Sequence, residues 1–309
     1  MTTLCLGEEI VPRAPIPADL MTAYLDYIAA RRAPLTLESY RQDLKTFRLY
    51  LEQTGHIPRK REIGPVMLDG YLAWLRRRAH APATVERRLQ ALKGFFDWSV
   101  KRSYLAKSPF LLWDVPRAKE TIPRALTWEE DDRLLDLLPT WPRTKFDRML
   151  VMAVRFGRYA GLRVGECNRL RWAEVDFAKA DLVILRSKGD ESRVVPIPRD
   201  GLLLPLREYG EKMGGPSDGY VLTGLYDQPL PPKCLSNSVR RLYSAARVRD
   251  ASFHTLRATY ATDLDEKGAS ITEIQKLLGH KNVQTTMRYI AVAKHRLRAA
   301  VDRLDARRR

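Results

Sequence analysis

Apolar side chains recur at helical spacing through the first third of this chain, and that recurrence restricts its fold more than any other feature. The stretch TLESYRQDLKTFRLYLEQTG places apolar residues on one helical face, with Thr36 as the expected N-cap and Gly55 as the stop. Three more stretches, ADLMTAYLDYIAARR, PVMLDGYLAWLRRRAH and TVERRLQALKGFFDWSVKRSYL, share the pattern, the last with Thr84 as its expected cap. Four amphipathic helices with short connections predict a small helical bundle.

An irregular stretch with three prolines, KSPFLLWDVPRAKETIPR, separates this part from the rest of the 309-residue chain. A chain of that length suits two domains. We therefore expect a flexible segment at 1–17, a helical domain at 18–113, a linker at 114–122 and a second domain at 123–309, with a tail helix at about 294–306.

The second part mixes helical patterns with one hairpin. LTWEEDDRLLDLL predicts a helix with a capping box from Thr127 and Glu130, and FDRMLVMAVRFGRYAG predicts a helix that ends at Gly161. RVGECNRLRWAEV predicts a further helix. DLVIL and SRVVPI are rich in β-branched residues and flank a polar turn, so they predict a β-hairpin. The expected fold class is mainly α with a small β-sheet, a helical bundle followed by an α+β domain.

The formal net charge of +17 indicates a polyanionic partner: nucleic acid, an anionic membrane surface or a highly acidic protein. No segment approaches the roughly 20 apolar residues that a membrane helix needs. The N-terminus carries acids and prolines instead of a basic start and an apolar run, so we expect a cytoplasmic protein without a signal peptide. The three cysteines lie far apart and the five histidines show no paired-ligand spacing, so we expect no metal site.

Five short pieces of the second part carry residue types that suit phosphoryl transfer. They are Arg163 and Glu166 in GLRVGE, Lys188 in the hairpin turn, His254 and Arg257 in HTLRATYATDL, His280 in LLGH, and Tyr289 in MRYI. Taken singly, each has an ordinary interpretation: an exposed arginine, an ion pair such as Arg257 with Asp263, a solvated turn lysine or a buried tyrosine. Taken together, two arginines and two histidines can bind one phosphodiester, a lysine can protonate a leaving oxygen, and a tyrosine can attack phosphorus. Cationic side chains can then neutralise the developing charge in place of metal ions.

This set, in this order, resembles the tyrosine recombinases, also called the phage integrase family. The family pattern runs GLR-x-x-E, a hairpin lysine, His-x-x-Arg, Gly-His and a later tyrosine. The surrounding stretches IPRALTWEE, VVPIP and LLGHKNVQTTMRYI match as well, so the resemblance covers nearly the whole chain. One departure is Ala258, which stands where many members have a histidine after the second arginine. That position is not among the catalytic set.

The resemblance implies a SAM-like core-binding domain, a catalytic domain and a site-specific DNA recombinase that needs no cofactor. It implies that Tyr289 forms a 3′-phosphotyrosyl link and that Lys188 protonates the departing 5′ oxygen. It also implies that the transition state is stabilised by Arg163, Arg257, His254 and His280. Glu166 is expected to orient Arg163 or its helix. The helix TVERRLQALKGFF looks like the groove-reading helix of the family, where we expect DNA contacts from Thr84, Arg87, Arg88 and Lys93.

The implied partners are double-stranded DNA at specific sites and further recombinase subunits, in a homotetramer or in a heterotetramer with a related recombinase. The tail helix can fold back on its own domain, and the resemblance favours docking on a neighbouring subunit. Helices that begin near residue 18, with no large insertion between Lys188 and His254, suit the simple Xer-type and mobile-element members.

Two other function classes stay open. A relaxing type IB topoisomerase would use similar chemistry without pairing two sites, and supercoil relaxation would favour it. A non-catalytic DNA-binding module would keep the fold and lose the reaction, and binding without a covalent adduct would favour that class.

Overall fold

The computed structural model describes residues 18–55, 64–119, 124–185, 192–213, 215, 218–223 and 228–290, and the side chains of 18, 19 and 288–290 lie outside that description. The chain divides into two compact units, Met1–Glu120 and Thr121–Arg309. Within the described ranges, no helix has both the length and the apolar character that crossing a bilayer requires.

The first unit contains the four predicted helices, which confirms the helical bundle. They are α1 (Ala18–Ala29), α2 (Pro34–Gln53), α3 (Pro65–Arg77) and α4 (Pro82–Lys101). Their apolar faces meet in a core of aromatic rings that includes the fully buried Phe47, Tyr71, Phe95 and Phe96. The Phe47 ring meets the Tyr71 ring edge-on, with 5.1 Å between centroids. Such edge-to-face pairs add to the stabilisation from burial alone.

The predicted threonine caps of two of these helices are wrong. Helix α2 begins at Pro34 and helix α4 at Pro82, so Thr36 and Thr84 lie inside the first turns. A proline at the start of a helix has its φ already set near the helical value and lacks an N–H that would have no partner there. The backbone therefore becomes helical at the proline, two residues before the threonine.

Two hydrogen bonds fasten the chain after α4 to the first unit. The Trp113 indole Nε1 donates to Asp69 Oδ1 at 2.8 Å. The Ala118 backbone N–H donates to Glu86 Oε2, also at 2.8 Å. The segment up to Ala118 is thus held against helices α3 and α4.

The second unit is mainly helical and carries a small sheet. Its helices are α5 (Trp128–Leu137), α6 (Lys145–Ala160), α7 (Val164–Cys167), α8 (Leu204–Met213), α9 (Pro232–Ala245), α10 (Phe253–Glu266), α11 (Ile271–Leu278) and α12 (Val283–Ile290), with a 3-10 turn at Trp172–Glu174 and a π-helical turn at Arg199–Leu203. Its strands are β1 (Val175–Asp176), β2 (Asp181–Ile184) and β3 (Arg193–Pro196).

The sheet has the order β1-β2-β3 and is antiparallel throughout. Leu182 of β2 is opposite Val195 of β3 on one side and Val175 of β1 on the other. Leu182 and Val195 are fully buried, so one face of the sheet closes the core. The predicted hairpin is confirmed, and so is the fold class. Strand β1 was not predicted, because two residues are too few to show an alternating pattern.

Helix α6 is the central helix of this unit, and both of its ends are fixed by local chemistry. Thr144 Oγ1 accepts from the Asp147 N–H at 3.1 Å, and Asp147 Oδ2 accepts from the Thr144 N–H at 3.1 Å. The predicted stop at Gly161 is confirmed, since this residue is left-handed with φ 60°. A Cβ at this position would lie 2.5 Å from the Tyr260 ring, so the turn also needs the space that glycine leaves.

Of the two remaining local predictions, one is confirmed and the other is wrong in extent. The capping box of Thr127 and Glu130 at the start of α5 is confirmed. The helix predicted over RVGECNRLRWAEV is wrong in extent, because α7 covers Val164–Cys167 and the chain then passes through the 3-10 turn into β1. Leu170 and Trp172 are buried on either side of Arg171, which is a strand-like alternation.

Candidate active site

Arg163 and Glu166 face each other at the start of α7. The Arg163 backbone N–H donates to Glu166 Oε2 at 2.8 Å, and Arg163 Nη1 donates to Glu166 Oε1 at 2.9 Å. The Arg163 side chain is 41% exposed, whereas that of Glu166 is 8% exposed. The Arg163 side chain can therefore reach a ligand, whereas the Glu166 carboxylate is covered and contacts Arg163 instead.

Glu166 is also held by Arg193, a residue that was not among the sequence candidates. Arg193 Nη1 and Nη2 donate to the two carboxylate oxygens at 3.0 and 2.9 Å. Burial by itself raises the pKa of Glu166, but the hydrogen bonds and charges of Arg193 and Arg163 together outweigh it, so the pKa falls to about 2. Arg193 begins strand β3, and the sequence offered no signal for it beyond a basic residue next to VVPI.

Arg257 lies in the interior, on helix α10. Its Nη1 donates to the Gly161 carbonyl at 2.5 Å, and its Nη2 donates to the Leu278 carbonyl at 2.6 Å and contacts His280 Nε2 at 2.9 Å. The residue is 0% exposed. Asp263, a possible partner of Arg257 on sequence grounds, pairs with Arg158 instead.

The end of helix α11 brings the arginines of α7, β3 and α10 together. Three successive carbonyl oxygens accept from them: Leu277 from Arg193 Nε at 2.8 Å, Leu278 from Arg257 Nη2 at 2.6 Å, and Gly279 from Arg163 Nη2 at 3.4 Å. The last carbonyls of a helix lack intrahelical partners and carry partial negative charge. The end of α11 thus holds three guanidinium groups in one place.

His280 follows the left-handed Gly279, which ends α11 with φ 63°. A guanidinium has donors only, so the ring Nε2 accepts from Arg257, and Nδ1 carries the proton that it donates to Thr286 Oγ1 at 2.8 Å. Burial lowers the pKa of His280 to about 3, with further lowering by the charges of Arg257 and Arg163. The ring is therefore neutral at neutral pH.

His254 lies in the first turn of α10, on the same face as Arg257. Its side chain is exposed, so it is open to a ligand. Partial enclosure by its neighbours, followed by the charges of Arg257 and Arg163, lowers the pKa of His254 and favours the neutral imidazole.

The remaining two candidates are described in part or not at all. The backbone of Tyr289 lies in helix α12, directly after the turn that holds His280, and its side chain lies outside the described residues. Lys188 belongs to 186–191, which also lies outside them. The strands on both sides of that range, β2 and β3, are paired. Within the described part of the chain, no group of three or more His, Cys, Asp or Glu residues could hold a metal ion.

The basic candidates of helix α4 belong to the first unit. Arg87 and Arg88 both approach the buried Asp43: Arg87 Nη1 donates to Asp43 Oδ2, and Arg88 Nε lies 3.8 Å from Asp43 Oδ1. Arg88 Nη1 also lies 3.1 Å from His80 Nε2. The side chain of Arg87 is 49% exposed and that of Arg88 is 11% exposed. Arg87 thus presents charge to solvent, whereas Arg88 mainly joins α4 to α2.

The other two candidates on α4 are partly exposed. Lys93 Nζ forms an ion pair with Asp97 Oδ2 at 2.8 Å, with 40% of the lysine side chain exposed. Thr84 is half-buried in the first turn. The roles of all four α4 residues in DNA binding stay predictions.

Comparison with known proteins supplies the context for this geometry. The family model described as Phage integrase family matches residues 124–296, and the model described as Phage integrase, N-terminal SAM-like domain matches 21–103. The chain is 32% identical over 291 residues to Tyrosine recombinase XerC of Halalkalibacterium halodurans, covering 90% of this chain and 94% of that protein.

Two solved structures share the fold. One is the XerH site-specific recombinase bound to a palindromic difH substrate in a post-cleavage complex, with TM-score 0.74, 22% identity, and coverage of 91% of this chain and 84% of that chain. The other is a lambda integrase tetramer bound to a Holliday junction, with TM-score 0.73, 19% identity, and coverage of 90% and 77%. At these identities the likeness establishes the fold.

Proposed function

The chain belongs to the phage integrase family, as its motifs predicted, and we propose that it is a site-specific DNA recombinase in which Tyr289 is the nucleophile. The observation that carries this proposal is the end of α11, where Arg163, Arg257 and His280 converge. Helix α12, which bears Tyr289, follows directly. Concentrated positive charge at the end of the helix that precedes a tyrosine-bearing helix suits attack on a phosphodiester.

The reaction is a transesterification that conserves bond energy, so it needs no ATP. The Tyr289 hydroxyl attacks the scissile phosphorus, an O–P bond to the tyrosine forms, and the bond from phosphorus to the 5′ oxygen breaks. The phenol proton passes to solvent, and Lys188 gives a proton to the departing 5′ oxygen; the reverse proton transfers accompany the second step. A 5′ hydroxyl from a second duplex then attacks the phosphotyrosine, which releases the tyrosine and joins the exchanged strands.

The two arginines supply the positive charge that stabilises the non-bridging oxygens, and the two histidines, in their neutral form, belong to the same site. Arg163 is exposed and offers donors directly. Arg257 and His280 lie deeper and act beside it, and His254 lines the open side of the site. Glu166 positions Arg163 rather than meeting the phosphate, because its carboxylate is covered and already accepts from arginines.

DNA binding draws on the charge of the whole chain. We assign residues 18–113 to a core-binding domain, 114–122 to a linker and 123–309 to a catalytic domain. Thr84, Arg87, Arg88 and Lys93 would lie on the DNA-facing side of helix α4, with Arg87 and Lys93 presenting the more exposed charges. Lysines and arginines that neutralise phosphates account for the net charge of +17.

Recombination requires more than one subunit and a compartment that holds DNA. We propose a tetramer across two sites, formed by this chain alone or with a related recombinase, as in the lambda integrase tetramer. The tail at about 294–306, which lies outside the described residues, would dock on a neighbouring subunit. The proposed location is the cytoplasm.

A covalent-trapping experiment tests the nucleophile. Genomic fragments that the protein binds supply a specific duplex, which is nicked near the cleavage point so that the released strand diffuses away. The parent should form a detergent-stable, protease-sensitive adduct. Tyr289→Phe removes one oxygen, so it should bind the duplex with unchanged affinity and form no adduct. Tyr104→Phe, a partly exposed tyrosine of the first unit, is the matched control and should behave as the parent.

The outcomes separate the alternatives. An adduct with Tyr289→Phe would place the nucleophile elsewhere. Specific binding by the parent without any adduct would favour the non-catalytic module. Two sites on one supercoiled plasmid should yield recombinant products, whereas relaxation of a plasmid that lacks the sites would favour the type IB topoisomerase.

A further inference from the structure

A buried hydroxyl connects helix α12 to the histidine of the site. Thr286 is 0% exposed and lies one helical turn before Tyr289. Its Oγ1 is 2.8 Å from His280 Nδ1. A threonine in a helix commonly bonds to a carbonyl of the preceding turn, as Thr46 and Thr259 do here. The contact of Thr286 with an imidazole is therefore a specific arrangement.

The contact continues to the buried arginine. His280 Nε2 accepts from Arg257 Nη2 at 2.9 Å, so the proton of the neutral ring sits on Nδ1, where Thr286 Oγ1 accepts it. Arg257, His280 and Thr286 thus form one directional chain that runs from α10 through the turn after α11 to α12. The backbone of the turn is fixed independently, because Gln275 Nε2 donates to the His280 carbonyl at 2.9 Å.

We propose that Thr286 is a positioning residue for strand cleavage: its hydroxyl accepts from His280 Nδ1, where the Arg257 contact places the ring proton, and so fixes the ring and sets the nucleophile helix against Arg257. This inference rests on the proposed function. In the other tautomer the Nε2–H would point at the N–H groups of Arg257. Two donors would then face each other, and the hydrogen bond between Arg257 and His280 would be lost. The Thr286 hydroxyl thus joins helix α12, which carries Tyr289, to the His280 ring and, through that ring, to Arg257.

The test compares two substitutions that differ in the hydroxyl. Thr286→Val keeps the shape of threonine and removes the acceptor, whereas Thr286→Ser keeps the acceptor. Under single-turnover conditions, Thr286→Val should form the covalent adduct about 10- to 100-fold more slowly, by analogy with residues that orient metal-binding histidines. DNA affinity should not change. Thr286→Ser should recover most of the rate, and Thr285→Val, on the same helix and half-buried, should match the parent.

A spectroscopic measurement reads the tautomer without DNA. Proteins labelled with ¹⁵N-histidine give ring-nitrogen signals that distinguish a protonated Nδ1 from a protonated Nε2, and His280→Gln assigns the signal. The parent and Thr286→Ser should show a hydrogen-bonded proton on Nδ1 of His280, and Thr286→Val should show a shifted Nδ1 signal, because that N–H has lost its acceptor. If Thr286→Val does not fold, Thr286→Ala takes its place in both comparisons.

The inference and the proposed function fail in different ways. If the parent forms no adduct, the proposed function is wrong. The ¹⁵N signals of His280 would still test its contact with Thr286. A parent that forms adduct, together with Thr286→Val at the same rate and with the same His280 signals, would overturn the positioning role alone. Equal slowing by Thr286→Ser and Thr286→Val would also overturn it, because the hydroxyl would then not be the cause.

Discussion

At the scale of single residues, the charge of Glu166 is the feature with the clearest pH signature. Burial raises its pKa, but Arg193 and Arg163 together outweigh burial, so the pKa lies at about 2 against an ordinary value of 4.5. A carboxyl whose folded-state pKa is depressed contributes stability above its unfolded pKa, and that contribution is lost as the pH falls towards the folded pKa. The stabilisation by Glu166 should therefore be complete above about pH 5 and decline between about 4.5 and 2.

The substitution Glu166→Gln isolates this effect from the other carboxyls. It keeps one acceptor oxygen and removes the charge, so it should lower the free energy of unfolding at pH 7 and lose part of that deficit at pH 3. Denaturant unfolding of parent and variant at both pH values measures the difference. Glu211→Gln, at an exposed position of α8, is the matched control. A Glu166→Gln deficit of the same size at pH 3 and pH 7 would contradict the ion-pair origin.

At the scale of helices and strands, a buried ion cluster joins three elements of the second unit. Arg158 of α6 donates from Nε and Nη2 to both oxygens of Asp131 of α5, at 2.6 to 2.9 Å, and also pairs with Asp263 of α10. Arg158 and Asp131 are 8% and 7% exposed. Since α10 also carries His254 and Arg257, this cluster fixes the helix that presents them.

Removal of the cation should be strongly destabilising, because it leaves the buried carboxylate of Asp131 and the half-buried carboxylate of Asp263 without their partner. Arg158→Met should lower the unfolding free energy of the second unit by about 3–5 kcal/mol, the range for breaking a buried pair. Arg143→Ala, at an exposed position, should change it by less than about 0.5 kcal/mol. Denaturant melts followed by tryptophan fluorescence measure both. A loss below about 1 kcal/mol for Arg158→Met would show that the cluster is dispensable.

The same scale shows what the sequence can and cannot predict. Long amphipathic helices such as α2 and α6 were found from their periodicity, because their packing agrees with their local pattern. The two-residue strand β1 was not predicted, and the four-residue helix α7 was predicted too long, because tertiary packing determines such short elements. Arg193 was not predicted as a site residue for a related reason. Its partner Glu166 is distant in sequence, and only the folded chain brings the two side chains together.

At the scale of the whole molecule, the chain concentrates positive charge where the proposed reaction develops negative charge. The net charge of +17 attracts the DNA backbone, and three guanidinium groups meet at the end of α11. The carboxylate within this group, Glu166, already accepts from Arg163 and Arg193 and is poorly placed to bind a divalent cation. Guanidinium groups can take the part that magnesium ions play in other phosphoryl transfers.

Covalent cleavage should therefore proceed in an excess of chelator. The measurement is the yield and rate of the tyrosine–DNA adduct on the nicked duplex, with the chelator alone and with magnesium added beyond it. Both should equal the untreated reaction, because the groups that stabilise the transition state belong to the chain. A magnesium-dependent endonuclease acting on the same duplex confirms that the chelator is effective. Adduct formation that stops in chelator and returns with magnesium would show that the arginines do not suffice and that an ion shares the site with them.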